Sequence, residues 1–135
     1  MAGLSLPRGS RIRHAREVRR GFDRGRSAAA GPVVVYAFDR LDGEPPRYAL
    51  VVGKRWGDAV ARNRVRRLLR EAFRTARPRL RAGFDFVLLP RDALGGLRMQ
   101  EVRRLLESAA RRAAERFQAE GPREDAPPRD RRGRR

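Results

Sequence analysis

The residues best placed to do chemistry lie between Lys54 and Arg77, a stretch reading KRWGDAVARNRVRRLLREAFRTAR. At about 100° per residue, Ala61, Val65, Leu68, Leu69, Ala72, Phe73 and Ala76 fall on one stripe of a helix. Asn63, Arg66, Arg67, Arg70, Arg74 and Arg77 fall on the opposite face, and Arg62 and Arg64 flank the stripe. Glu71 is the one acid interleaved there, whereas a polar face that serves solubility alone mixes signs. An arginine fork engages two phosphate oxygens at once, and the helix start near Asp58-Ala59 offers free backbone N–H groups. The Asn63 amide can both donate and accept, which suits bases or sugar hydroxyls. With Lys54 and Arg55 just before the turn, these side chains make a continuous basic ridge fit for phosphates. The plainer reading of the same residues is a solvated face in an arginine-rich chain.

For hydrolysis by protein groups the inventory is poor. Phosphodiester cleavage needs an activated nucleophile and charge stabilisation, commonly from two metal ions held by carboxylates. His14 is the one histidine, set among arginines near the N-terminus, and a lone histidine of that kind more often meets phosphate or solvent than acts as a base. Asp39, Asp42 and Glu44 share a turn-rich loop and read as solvated acids, while Asp85, Asp92 and Glu101 are scattered over different elements. Ser10, Ser27 and Ser108 have no base nearby in sequence. Cysteine is absent, which removes disulfides, thiolate metal sites and cysteine nucleophiles and fits a reducing cytoplasm. No catalytic residue and no protein-held metal is expected.

What must position the ridge is a small domain. The chain has 135 residues, and 34 basic against 16 acidic residues give a formal charge of +18, with all but Lys54 of the basic residues being arginine. A compact domain at that charge repels itself unless a polyanion neutralises it, which favours nucleic acid as partner. No apolar run approaches the roughly 20 residues of a membrane span, and residues 1–13 lack the apolar segment of a secretory signal. Three zones follow: a flexible basic arm (residues 1–13), an ordered domain (residues 14–117) and a charged, proline-bearing tail (residues 118–135) expected to be disordered.

Within the domain, a short helix is expected from His14 to Arg20 or Asp23, ending at Gly25. Strands are expected at Val33–Phe38, Tyr48–Val52 and Phe84–Leu89, with a possible short one near Ser27–Gly31. Asp39–Pro46 reads as a loop that could join a hairpin. Helices are expected at Ala59–Ala76, capped by Asp58 and stopped before Pro78, and at Met99–Phe117. The whole is an α+β domain with one small sheet.

The run from Lys54 to Arg67, followed by Leu68-Leu69-Arg70-Glu71-Ala72-Phe73, closely resembles the signature of the bacterial ribonuclease P protein subunit, K-K/R-x-G-x-A-V-x-R-N-R-x-K/R-R and then L-x-R-E-x-F. The resemblance extends more weakly from His14 to Phe117. Gly25, Phe22, Tyr36 and the Asp85–Leu89 strand with Arg91 stand at family positions, whereas Val18 replaces an aromatic and Gly21 a larger apolar residue.

The resemblance implies an αβββαβα fold with a small mixed sheet, shared with a ribosomal-protein domain, including a left-handed βαβ crossover. It implies two partners, the catalytic RNA of ribonuclease P and precursor tRNA with its 5′ leader, and an accessory role in an endoribonuclease whose RNA cleaves. Lys54, Arg55, Arg62, Asn63, Arg64, Arg66, Arg67 and Arg70 would then bind the catalytic RNA; Val18, Phe22, Tyr36 and Arg91 would bind the leader, with plain core packing as the alternative for Phe22 and Tyr36. No tightly bound cofactor and no obligate protein partner are expected. Magnesium would serve the RNA-containing holoenzyme, in the cytoplasm and away from membranes. The competing reading is a ribosome-associated or other structural RNA-binding protein.

Overall fold

A computed structural model describes residues 9–91 and 94–124. The elements run α1 (Ala15–Arg24), β1 (Arg26–Ala30), β2 (Val33–Asp39), β3 (Arg47–Leu50), α2 (Ala59–Ala76), β4 (Phe84–Pro90) and α3 (Met99–Glu120), the αβββαβα order. The strands form one sheet in the order β1-β2-β4-β3, with β3 and β4 parallel and the other pairs antiparallel.

Alternation along the two central strands sends side chains to opposite faces. Val33, Val35 and Ala37 of β2 join Phe84, Phe86 and Leu88 of β4 in the main core, against α2 and α3. Val34, Tyr36 and Val87 point to the other face and join Ile12 and Phe22 in a smaller core beneath α1. The molecule thus has three layers: α1, the sheet, and the α2–α3 pair. Gly21 sets the spacing of the first two, because a β-carbon there would lie 2.8 Å from Val87 Cγ2. The small residue standing where the family has a larger one lets α1 settle onto β4.

The long helix forms as its period dictates. Asp58 caps it, its side chain accepting from the Ala61 N–H at 3.0 Å, and the chain leaves the α-helix at the Arg77–Arg79 turn that contains Pro78. Val65, Leu69, Ala72, Phe73 and Ala76 are buried, with Ala61 and Leu68 half-buried at the margins of the stripe.

Several expectations are corrected. Asp39–Pro46 does not close a hairpin, because β4 lies between β2 and β3 and pairs with both. The possible short strand near Ser27–Gly31, by contrast, is present as Arg26–Ala30, paired to β2 through a turn at Gly31-Pro32. The strand at Tyr48 begins at Arg47 and ends at Leu50. The end of the arm is built into the fold: Ile12 donates to Tyr48 O at 2.7 Å, Tyr48 donates to Ser10 O at 2.8 Å, and Ser10 and Ile12 are buried. The last helix runs three residues past Phe117 to Glu120, and the chain beyond it is tied back, with Arg26 donating to Gly121 O at 2.8 Å and Arg123 N–H to Arg24 O at 2.9 Å. The rest of the arm and tail expectations, residues 1–8 and 125–135, lie outside the described residues.

One buried carboxylate fastens the α1 layer to the sheet edge. Asp85, fully buried on β4, accepts from Arg40 Nη1 at 2.9 Å, from Arg47 Nε and Nη2 at 2.8 Å each, and from Arg20 Nη2 at 3.3 Å. Arg47 also meets Glu17 of α1 at 3.4 Å. Arg40 bonds both oxygens of Asp42, at 2.8 and 2.9 Å, and the carbonyls of Phe84, Glu44 and Pro45. Burial pulls the Arg40 guanidinium down, but its bonds to Asp42 and Asp85 outweigh this and hold it above its ordinary value. The bond from Arg40 in turn holds the Asp42 carboxyl below its usual range. Asp42 is therefore engaged rather than simply solvated, and the 40–46 loop is a strap.

Candidate nucleic-acid interface

The ridge is the solvent side of a helix whose other side is fully committed to the core. Lys54, Asn63, Arg64, Arg66, Arg67 and Arg70 are exposed, Arg62 is half-buried, and Arg55 belongs to the helical turn Lys54–Trp56 that leads into α2. Two bonds order the start of the ridge: Arg62 Nη1 donates to Gly57 O at 3.3 Å, and Arg66 Nη1 donates to Asn63 Oδ1 at 3.2 Å. Between Arg62 and Arg70 there are five arginines and no acid, so neutralisation must come from outside the helix face.

The C-terminal end of the face is different. Glu71 is bound by Arg74, which lowers the carboxyl pKa, and the pair removes that arginine from the free positive surface. Arg77 is half-buried, donates Nε to Pro46 O at 3.2 Å, and has its pKa lowered by burial. The reachable ridge therefore runs from Lys54 to Arg70. Val60, 70% exposed, sits on the first turn of the same helix beside it.

Three of the four expected leader residues, Val18, Phe22 and Tyr36, gather on the other side of the sheet, and Arg91 stands apart from them. Phe22 of α1 and Tyr36 of β2 meet edge to face, ring centroids 4.8 Å apart at 66°. Each covers the other: Phe22 is 6% and Tyr36 9% exposed. Val18 is half-buried at the margin of this cluster, together with Leu89 and Val51. Arg91 is exposed just past β4, its N–H donating to Pro32 O at 2.7 Å. It follows Val87, the register partner of Tyr36, by four residues, about 13 Å along an extended chain. Trp56 is half-buried against the main core.

Of the acids named from the sequence, Asp92 lies outside the described residues. His14 precedes α1 at its N-cap and is exposed. Among the described residues no group of three or more His, Cys, Asp or Glu gathers to hold a metal ion. The Asp85 constellation was not legible beforehand, since its partners stand 38, 45 and 65 residues away in sequence. The available signal was a lone acid inside the apolar strand FDFVLL.

Comparison with known proteins converges on one family. The family model Ribonuclease P matches residues 6–114. The ribonuclease P protein component of Shouchella clausii is 37% identical over 103 residues, covering 76% of this chain and 84% of that protein. That of Symbiobacterium thermophilum is 37% identical over 92 residues, covering 68% and 80%. Among solved structures, the ribonuclease P protein of Thermotoga maritima superposes with a TM-score of 0.68 at 29% identity, covering 76% of this chain and 96% of that one. A basic ridge on α2, a three-layer αβββαβα fold and these matches agree: the chain belongs to the ribonuclease P protein family.

Proposed function

We propose a division of surfaces for this ribonuclease P protein. The ridge on α2 docks the catalytic RNA through Lys54, Arg55, Arg62, Asn63, Arg64, Arg66, Arg67 and Arg70. The α1 face of the sheet guides the 5′ leader of precursor tRNA past Val18 and the exposed margin of the Phe22–Tyr36 cluster toward Arg91. The observation that carries this reading is the run from Arg62 to Arg70, five arginines with no acid, on a helix whose apolar stripe is buried.

The chain's own residues bind, orient and neutralise. Arginines on the ridge release counterions condensed on the RNA, and the sheet lies between the ridge and the leader face. With Phe22 and Tyr36 covering each other, the leader meets ring edges and the Val18 side chain rather than an open stacking platform. Cleavage belongs to the RNA, with magnesium held there, and the setting is the cytoplasm; no helix among the described residues is long and apolar enough to cross a membrane.

Binding to the catalytic RNA across a salt series tests the assignment. Arg66→Ala and Arg70→Ala should each weaken binding and lower the slope of log K against log salt by about one unit. Unchanged affinity and slope in both, with folding intact, would remove the ridge from the interface.

A further inference from the structure

Beyond Arg70 the positive surface resumes in a different shape. The chain leaves α2 through the Arg77–Arg79 turn and passes alongside α3, and the two enclose a depression of about 440 Å³. Its walls carry Arg79, Arg81 and Arg111, with Glu115 the one acid on the lining. Its floor is apolar, made by Leu80 and Ala114, 8% and 2% exposed, with Pro78 at the rim. Arg81 and Arg111 are exposed, and among the described residues neither is paired with a carboxylate. Arg79 stands 3.6 Å from Glu107, an acid it shares with Arg103 at 3.2 Å.

Shape and charge together select the occupant. The ridge is a convex helix face, suited to following a backbone. The depression is concave, within the roughly 300–1,000 Å³ of sites that take small ligands. Unneutralised arginines above an apolar floor match a nucleotide: phosphate oxygens on the guanidinium forks, the base and sugar against Leu80, Ala114 and Pro78. Arg79 follows Arg66 by thirteen positions, about 20 Å at a helical rise, a distance that a few nucleotides of one RNA strand can span.

We propose that this depression binds an unstacked nucleotide of the catalytic RNA docked on the ridge, as a second RNA subsite held by Arg81 and Arg111. The proposal rests on the RNA-binding reading of α2, and the test separates the two. The chain contains no cysteine, so Ala82→Cys, an exposed position beside Arg81, gives a single attachment point for a photoreactive probe in the reconstituted complex with both arginines in place, and Arg24→Cys on the α1 side is the control. Reverse transcription should stop at one or two unpaired nucleotides of the catalytic RNA for Ala82→Cys and not for Arg24→Cys. Stops confined to paired nucleotides, a pattern shared with the control, or cross-linking only to a second copy of the chain would overturn the subsite.

In parallel, Arg81→Gln/Arg111→Gln should weaken binding about tenfold, with a larger fall in salt slope than Arg24→Gln, while unfolding of the free protein is unchanged. If Arg66→Ala weakens binding and the double variant matches the Arg24 control, the subsite alone is wrong. If Arg66→Ala also has no effect, the reading of the ridge fails with it.

Discussion

Asp85 shows how much one side chain can organise. Its carboxylate is fully buried and receives bonds from arginines of α1, β3 and the strap, and the Arg40 side chain beside it is only 7% exposed. Removing the shared acceptor forfeits several charge-assisted bonds at once, although Arg40 keeps Asp42 and Arg47 keeps Glu17. Asp85→Asn should therefore cost about 1.5–3 kcal/mol in urea unfolding. A loss under about 0.5 kcal/mol would mean that the three arginines find solvent or other acceptors. No motif search exposes this cluster, since only the fold brings Arg20, Arg40, Arg47 and Asp85 together. The ridge residues were readable for the opposite reason: one helical period within a short window determines which of them share a face. Arg74 and Arg77 mark the limit of that argument, because Glu71 and the Pro46 carbonyl claim them through side-chain bonds that periodicity does not encode.

At the scale of elements, α2 separates stability from binding. Leu69, fully buried against the sheet, should cost roughly 2–5 kcal/mol when changed to alanine. Glutamine at several ridge arginines should leave the free protein as stable or more so, because it relieves repulsion between like charges. A small effect of Leu69→Ala in thermal or urea melts would mean that the helix is rotated from this orientation. The edge strand β1 presents a different problem. Its sequence RSAAA has no β-branched or aromatic residue, so pairing with β2 rather than propensity makes it a strand, and it was legible only as a possibility. Its outer carbonyls, a template for association with other chains, are covered from α3: Arg112 donates to Ala29 O, and Arg116 donates to Ser27 O at 3.1 Å. Arg112→Ala/Arg116→Ala should expose that edge and produce concentration-dependent self-association in sedimentation or light scattering. A variant that stays monomeric at high concentration would show that the edge needs no cover.

For the whole molecule, the formal charge of +18 and the unneutralised ridge on α2 suit a chain that binds RNA. Buried acids such as Asp85 and Glu107 serve arginines of the fold. The ridge and the α1 face lie on opposite sides of the sheet, so a chain bound as proposed would place positive charge where catalytic RNA and substrate RNA repel each other. Charge of this kind supplements the ions that otherwise screen two phosphate chains. The protein should therefore lower the magnesium concentration at which precursor tRNA is cleaved by the catalytic RNA, and the benefit should shrink as monovalent salt rises. His14→Ala should leave the holoenzyme's single-turnover chemical step nearly unchanged, because the imidazole stands exposed at the N-cap of α1, apart from any acid cluster. The isolated chain should cleave no precursor tRNA at any magnesium concentration. Metal-dependent cleavage by the protein alone, persisting after rigorous removal of RNA and lost in His14→Ala, would transfer the chemistry from RNA to protein and overturn this division of labour.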